Sequence, residues 1–309
     1  MLHISVDPRF AQLVNVDAPV RRLATGYSWL EGPVWNPRES ALYFSDVPGD
    51  ARHRWDASGA TAVARPTGFA NGMTYDADLS LIVCVHATSS VLRSAGDGTA
   101  TTLATHFDGC ELNSPNDVVV RSDGSVYFTD PTYGRRAAFG VARPLLMGFQ
   151  GVYRVPPGGG DVQLVVDRAS FIEPNGLCFS PDESLLYVND TDRASILVYD
   201  VRPDGSLKRE RVFARGIRSD DDPGLPDGMK CDELGNVWVT GPGGIWVFDP
   251  DGARLGVVRT PERAANFTWG ADAWRTLFIT ASSSLYAIET MVGPRRESYM
   301  AASPESVQR

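Results

Sequence analysis

A short turn-and-strand unit recurs along this chain, and that recurrence limits the possible folds more tightly than anything else in it. The clearest copy is SPNDVVVRSDGSVYFTD, residues 114–130: an Asn ahead of an apolar strand, a polar turn, then a second apolar strand ending in Asp. Related second strands lie in NPRESALYFSD (36–46), YDADLSLIVCVH (75–86), SPDESLLYVND (180–190), DELGNVWVTG (232–241) and ADAWRTLFITA (271–281). With the copy at 121–130, their ends fall at 46, 86, 130, 190, 241 and 281, so successive spacings are 40, 44, 60, 51 and 40 residues. One four-stranded propeller blade needs about 40–50 residues. Apolar runs are short and bounded by Gly, Pro and Asp, and no helical periodicity persists. The expected fold is therefore all-β: a six-bladed β-propeller with four-stranded antiparallel blades around a central channel.

The stretches ARHRWD, SVLRSAG, GVYRVPPGGG, ILVYDVRPDG and GIWVFDPDGARL follow the repeats and read as outer strands, several ending in hairpin signals. Residues 22–29 precede the first repeat and 283–290 follow the last, so pairing between them would close the ring. Residues 1–309 then form one domain, with N-terminal and C-terminal tails, the latter from 295, reading as peripheral. The longest interval carries TYGRRAAFGVARPLLMG (132–148), expected as a long loop or short helix over one face, where binding loops gather.

Counting 14 or 15 residues back from each strand end reaches Glu31, Asn71, Asn116, Asn175, Asp227 and Asn266. Each opens the first strand of a blade, and first strands line the channel, so these side chains should converge at one mouth. Two carboxylates among amide oxygens suit a hard divalent cation. The competing reading is that these residues satisfy backbone groups at strand starts and turns. Pro33, Pro115, Pro174 and Pro226 flank Glu31, Asn116, Asn175 and Asp227 but not Asn71 or Asn266, which separates four candidate ligands from two lesser members.

Composition removes other classes. A net charge of -9 and a pI near 5.0 argue against a nucleic-acid partner. No segment approaches the about 18 apolar residues of a membrane span, and no secretory leader pattern opens the chain. Cys84, Cys110, Cys178 and Cys231 are scattered and read as free thiols in a reducing, cytoplasmic setting, with one disulfide as the alternative. Serine-hydrolase and dinucleotide motifs are missing. The acidic run Asp220, Asp221, Asp222 reads as a solvated loop, with a second calcium site as its alternative.

The motifs EGPVW, NSPNDVVVRSDGSVYFTDPTYG, EPNGLCFSPDESLLYVNDT and LPDGMKCDELGNVWVT resemble the gluconolactonase/regucalcin-like family of sugar lactonases, from about Gly26 to Glu289. The resemblance implies a six-bladed propeller with one catalytic divalent metal at the channel mouth, of the kind Ca, Zn, Mn or Mg. By motif, Glu31, Asn175 and Asp227 match the metal ligands. Asn116 matches an Asn that binds substrate or water, or joins the metal shell in some relatives. His86 is either a substrate contact or a strand-end histidine, and Val85 replaces an acid often seen beside it. Tyr133 and Arg135 either contact a polyol or belong to a solvent-facing loop; Trp269 is either pocket wall or core.

The expected reaction is metal-dependent hydrolysis of an aldonolactone, such as glucono-, xylono- or arabinonolactone, to the aldonic acid. Asp227 is the expected general base, direct attack by its carboxylate being the other route. Specificity is expected from residues 132–148 and 217–224. Other readings are a different ester or phosphotriester hydrolase in the same site, or a metal- or protein-binding propeller. A small-molecule lactone is the expected partner, with no obligate protein partner.

Overall fold

The computed structural model describes residues 3–96 and 98–301. Six antiparallel sheets are arranged as the blades of a propeller. Blade 1 comprises Leu30–Asn36, Ala41–Asp46, Ala51–Asp56 and Gly59–Ala64, and blade 2 comprises Ala70–Tyr75, Leu81–Val85, Ser90–Ser94 and Ala100–Ala104. Blade 3 is Val118–Val120, Val126–Asp130, Gly151–Val155 and Gln163–Leu164. Blade 4 is Pro174–Phe179, Leu185–Asp190, Ser195–Val201 and Leu207–Arg215. Blade 5 runs Met229–Cys231, Val237–Gly241, Gly244–Phe248 and Arg254–Arg259. Blade 6 takes Ala264–Gly270, Thr276–Ala281 and Ser284–Glu289 from the end of the chain, and Arg21–Thr25 from its start as the outermost strand. The ring thus closes as the sequence predicts, with Arg21 opposite Ala287 and Thr25 opposite Ser284.

Local chemistry explains the hairpins. In blade 3 the turn Arg121–Ser125 is tied by Asp123, whose Oδ1 accepts the Ser125 N–H at 2.8 Å, while Gly124 supplies φ +87°. The following strand is wholly buried, because propeller sheets are covered on both faces by neighbouring blades. Aromatics fill the wedges between blades: Trp238 meets Trp269 edge to face at 5.1 Å, and Tyr127 meets Phe179 at 5.1 Å.

Both chain ends depart from the peripheral reading. Ile4–Ser5 adds a fifth strand to blade 5, with Ile4 opposite Val257. Phe10, Leu13 and Val14 follow on a 3-10 turn capped by Asp7 and are buried in one cluster with Trp238 and Trp269. Only Phe10 lies within the turn, and three buried apolar residues in five are a pattern too short to stand out in the sequence. At the other end Arg295 is buried, donates its backbone N–H to Cys231 O at 2.9 Å and ion-pairs with Glu183. Tyr299 and Met300 pack into the cluster around Tyr75. Residues 302–309 of the expected tail lie outside the described residues.

A second pattern emerges along the channel. A glycine follows Glu31, Asn71, Asn175 and Asp227, and in each case it abuts the equivalent residue of the next blade. A Cβ on Gly32 would lie 2.0 Å from Asn71 O, on Gly72 2.5 Å from Asn116 O, on Gly176 2.1 Å from Asp227 O, and on Gly228 2.3 Å from the Asn266 side chain. The Asn-Gly and Asp-Gly pairs are therefore not turns. They are the points where neighbouring inner strands touch, and only glycine fits.

Candidate active site

Five of the six equivalent residues line one pocket of about 410 Å³, a size suited to a small-molecule ligand, and Glu31, Asn116, Asn175 and Asp227 are among them. These are the four proline-flanked members. Asn71 lines the same pocket, while Asn266 sits behind it and donates its side-chain N–H to Glu31 Oε2 at 3.3 Å. Glu31 Oε2 also accepts the Gly32 N–H at 3.1 Å. The Asp227 backbone is fixed through its carbonyl, which accepts from Asn189 Nδ2 at 2.6 Å and from Gly176 N at 3.1 Å. Asn175 is oriented by donating to Thr191 Oγ1 at 3.1 Å, and that hydroxyl donates to Pro226 O at 2.6 Å.

The electrostatics are those of negative charge crowded out of water. Burial raises the Glu31 carboxyl above the usual range, although the Gly32 N–H pulls it back. Burial raises Asp227 well above that range, and the Glu31 charge pushes it further. Asp117, the residue after Asn116, is a third buried acid, also raised by burial, with Oδ2 lacking a hydrogen-bond partner. Sequence reasoning overlooked Asp117. The signal was present: at this one pocket-lining position the residue after the ring member is an acid where the other four have glycine.

Two carboxylates and several amide oxygens facing one pocket are hard donors of the kind a divalent cation takes, so the residues fit such an ion. Among the described residues no group of three or more His, Cys, Asp or Glu is arranged as a metal cage. The expected ligand set, with two acids and amides, does not require one.

The remaining predicted residues divide. His86 lines the pocket as the substrate-contact reading requires. Its Nδ1 lies 2.7 Å from Phe139 O, which can only accept, so Nδ1 carries the proton and Nε2 accepts from Asn71 Nδ2 at 3.2 Å. Burial lowers its pKa to about 4, so the ring is neutral. Tyr133 lines the pocket, and burial raises its phenol, keeping it a neutral hydroxyl.

Arg135 does not reach the pocket. Its Nη2 donates to Leu112 O at 2.6 Å and Glu111 Oε2 at 3.0 Å, on the far side of the loop. The 3-10 turn Tyr133–Arg135 directs its successor Arg136 into the pocket instead. Trp269 is core: it is 1 % exposed and donates to Thr290 Oγ1 at 3.0 Å. The tryptophan at the wall is Trp29, packed edge to face on Phe139 with centroids 6.2 Å apart. The loop 132–148 does cover the site, contributing Tyr133, Arg136 and Phe139 to its lining. The acidic segment 217–224 does not: only its neighbour Leu225 lines the pocket, and Asp222 is paired with Arg259 at 2.6 Å. No signal in the sequence distinguished Arg136 or Arg263, the two pocket arginines, from other surface cations.

The fold and site together define a six-bladed propeller with an acid-and-amide pocket at its channel. A sequence model of the SMP-30/Gluconolactonase/LRE-like region matches residues 29–283, and the chain belongs to this family. It is 33% identical over 305 residues to a gluconolactonase of Zymomonas mobilis, covering 92% of this chain and 84% of that protein. It is 28% identical to a pentonolactonase of Haloferax volcanii over 82% of this chain and 81% of that one. The solved structure of a gluconolactonase from Xanthomonas campestris superposes with a TM-score of 0.86 at 35% identity, over 94% of this chain and 95% of that chain.

Proposed function

We propose that this protein hydrolyses a sugar lactone, specifically an aldonolactone, to the aldonic acid, using one divalent cation. Family membership makes the chain a lactonase-like enzyme. The observation that carries the finer reading is the meeting of two buried carboxylates, Glu31 and Asp227, the second raised further by the charge of the first, with Asn116 and Asn175 in one pocket of sugar size. The relatives named for six- and five-carbon lactones favour a polyhydroxylated ring.

Glu31, Asn175 and Asp227 would hold the cation, with Asn116 at its edge facing substrate. When bound, the cation would polarise the lactone carbonyl and keep both carboxylates ionised. Asp227 takes a proton from the attacking water as the new C–O bond forms at the carbonyl carbon. When the tetrahedral intermediate collapses, the ring C–O bond breaks and that proton passes to the leaving ring oxygen. Asn71, held in place by neutral His86, and the Tyr133 hydroxyl offer hydrogen bonds to ring hydroxyls. Trp29, Phe139 and Leu225 supply the apolar surface against which C–H faces of a sugar pack. The four free cysteines, three of them buried, favour a reducing cytoplasmic setting. No helix among the described residues is long and apolar enough to cross a membrane.

A panel of glucono-, galactono-, xylono- and arabinonolactones tests this, read by acid release above the spontaneous rate. The protein is first treated with chelator, then supplied separately with Ca, Zn, Mn and Mg ions. Turnover that vanishes on chelation and returns with one of the ions is expected. Bound metal without turnover on any lactone would favour a binding propeller.

A further inference from the structure

Two arginines line the pocket, and they differ in how they are occupied. Arg136 donates to Glu173 at 3.2 Å, lies over the Tyr133 ring at 5.0 Å, and its side chain is 57% exposed. Arg263 sits over the Trp29 ring at 5.2 Å, and among the described residues its guanidinium makes no hydrogen bond or ion pair. Trp29 is itself held, by its backbone N–H donating to Asp46 Oδ1 at 3.0 Å and by its contact with Phe139. Stacking therefore restricts the guanidinium without consuming its N–H donors. Arg263 also lies close enough to Asp227 for its charge to oppose the effect of Glu31 on that carboxyl. An unpaired cation thus faces the same space as Glu31 and Asp227.

We propose that Arg263 is a catalytic residue that receives the reacting carboxyl group, binding the oxyanion of the tetrahedral intermediate and then the carboxylate of the product. This rests on the lactonase reading above. The chemistry supplies the reason. A lactone carbonyl is neutral, the intermediate formed by adding water carries a negative oxygen, and ring opening leaves a carboxylate on the same carbon. A fixed guanidinium binds the first weakly and the other two by charge-assisted hydrogen bonds, so its contribution grows along the reaction. Its planar fork matches a carboxylate in two parallel bonds, which a lysine ammonium cannot reproduce. The same contact makes the aldonate a product inhibitor.

The test compares wild type with Arg263→Met and Arg263→Lys, all loaded with the same activating ion. Arg263→Met should lower kcat/KM by about 10²–10³-fold on a lactone the wild type turns over, with Arg263→Lys recovering part of the loss. By calorimetry the matching aldonate should bind Arg263→Met at least tenfold more weakly, while a neutral ring without a carbonyl, 1,5-anhydroglucitol, keeps its affinity. Unchanged kcat/KM and aldonate affinity in Arg263→Met would overturn the assignment. So would a loss confined to lactones bearing an additional acidic group, since that would put the anion elsewhere on the substrate. If the wild type opens no lactone, the lactonase reading fails by itself, and the aldonate titrations still decide what Arg263 binds. Should Arg263→Met fold poorly, the lysine variant carries both measurements.

Discussion

Each repeat can carry an acid or amide at two places, the start of its first strand and the end of its second, and the two sets of buried acids have opposite surroundings. At the second-strand ends, Asp130 accepts backbone N–H bonds from Asn113 and Ser114, both at 2.8 Å. Asp46 accepts from Trp29 at 3.0 Å and Asp190 from Ile172 at 2.8 Å. These carboxylates tie the incoming loop of a blade to its second strand. At the first-strand starts, Glu31 and Asp227 look into a pocket and face each other's charge. Burial raises Asp130 as well, to about 7, so a raised pKa does not by itself distinguish the sets. What distinguishes them is the pocket: both Asp130 oxygens accept backbone amides, whereas Glu31 accepts amides through Oε2 and, with Asp227, still lines space a ligand can fill.

That contrast breaks most sharply at Asp227. Asp227→Asn should lower kcat by about 10³–10⁴-fold, roughly 4–5.5 kcal/mol of barrier, with thermal stability equal to or above wild type in the cation-free protein. The stability half follows from removing one of two like charges in the buried pair. Wild-type turnover in this variant would remove Asp227 from the mechanism, and a large fall in Tm would make it a structural acid like Asp130.

Asp130→Ala is the reciprocal case. It leaves the Asn113 and Ser114 N–H groups without partners, and both residues are 1 % exposed or less. At about 1–3 kcal/mol for each orphaned donor, the expected loss is about 3–4 kcal/mol, read from denaturant unfolding. A loss under about 1 kcal/mol would mean that water replaces the carboxylate and that the two sets differ less than their geometry implies.

The ring was readable because propeller blades repeat chemically: 14 or 15 residues before each second-strand end lies an acid or amide in all six repeats. The inner-strand glycines read as turn residues in the sequence, and only the close contact between blades shows why no other residue fits at Gly32 or Gly176. Arg135 and Trp269 were unreadable for a different reason. Which of two adjacent arginines enters a pocket depends on the rotation of a 3-10 turn, and sequence does not specify that rotation. Trp29 precedes the inner strand of blade 1 and Trp269 lies near the end of that of blade 6, and only packing separates the wall position from the core. Asp117 was legible as an exception to the glycine pattern, but the exception means little until the pattern's physical cause is known.

His86 occupies the second-strand end of blade 2, where blades 1, 3 and 4 carry aspartates, yet it lines the pocket. It tests the comparison by pH. Its pKa falls from 6.5 to about 4 on burial, so between those values the unfolded chain binds a proton that the folded protein refuses. Its contribution is therefore complete above about pH 6.5 and is lost as pH drops toward 4, totalling about 3 kcal/mol at about 1.4 kcal/mol per pH unit. Other buried acids titrate nearby, so the relevant quantity is the difference in unfolding free energy between wild type and His86→Gln from pH 7.5 to 4.5. That difference should shrink as pH falls. If it stays constant, His86 is protonated in the folded protein and its bond to Asn71 must be reassigned.

The smallest effect belongs to Glu111, which stands outside the pocket and holds the loop that covers it. Its carboxylate accepts from Arg135 at 3.0 Å and from Arg143 at 3.0 Å, and Arg143 also donates to Ser89 Oγ at 2.7 Å. Arg135 lies within, and Arg143 just beyond, the stretch that brings Tyr133, Arg136 and Phe139 to the pocket. Glu111→Gln keeps an acceptor oxygen but removes the charge, and its side chain is 27% exposed, so solvent screening limits the cost to about 1 kcal/mol. If Glu111 acts by holding the loop, KM should rise severalfold with kcat within about twofold of wild type, and amide exchange across 133–141 should quicken. A fall in kcat at unchanged KM would show that the loop contributes to the chemical step itself. Residues 132–148 would then belong with the groups at the channel mouth and not with the carboxylates that only tie loops to strands.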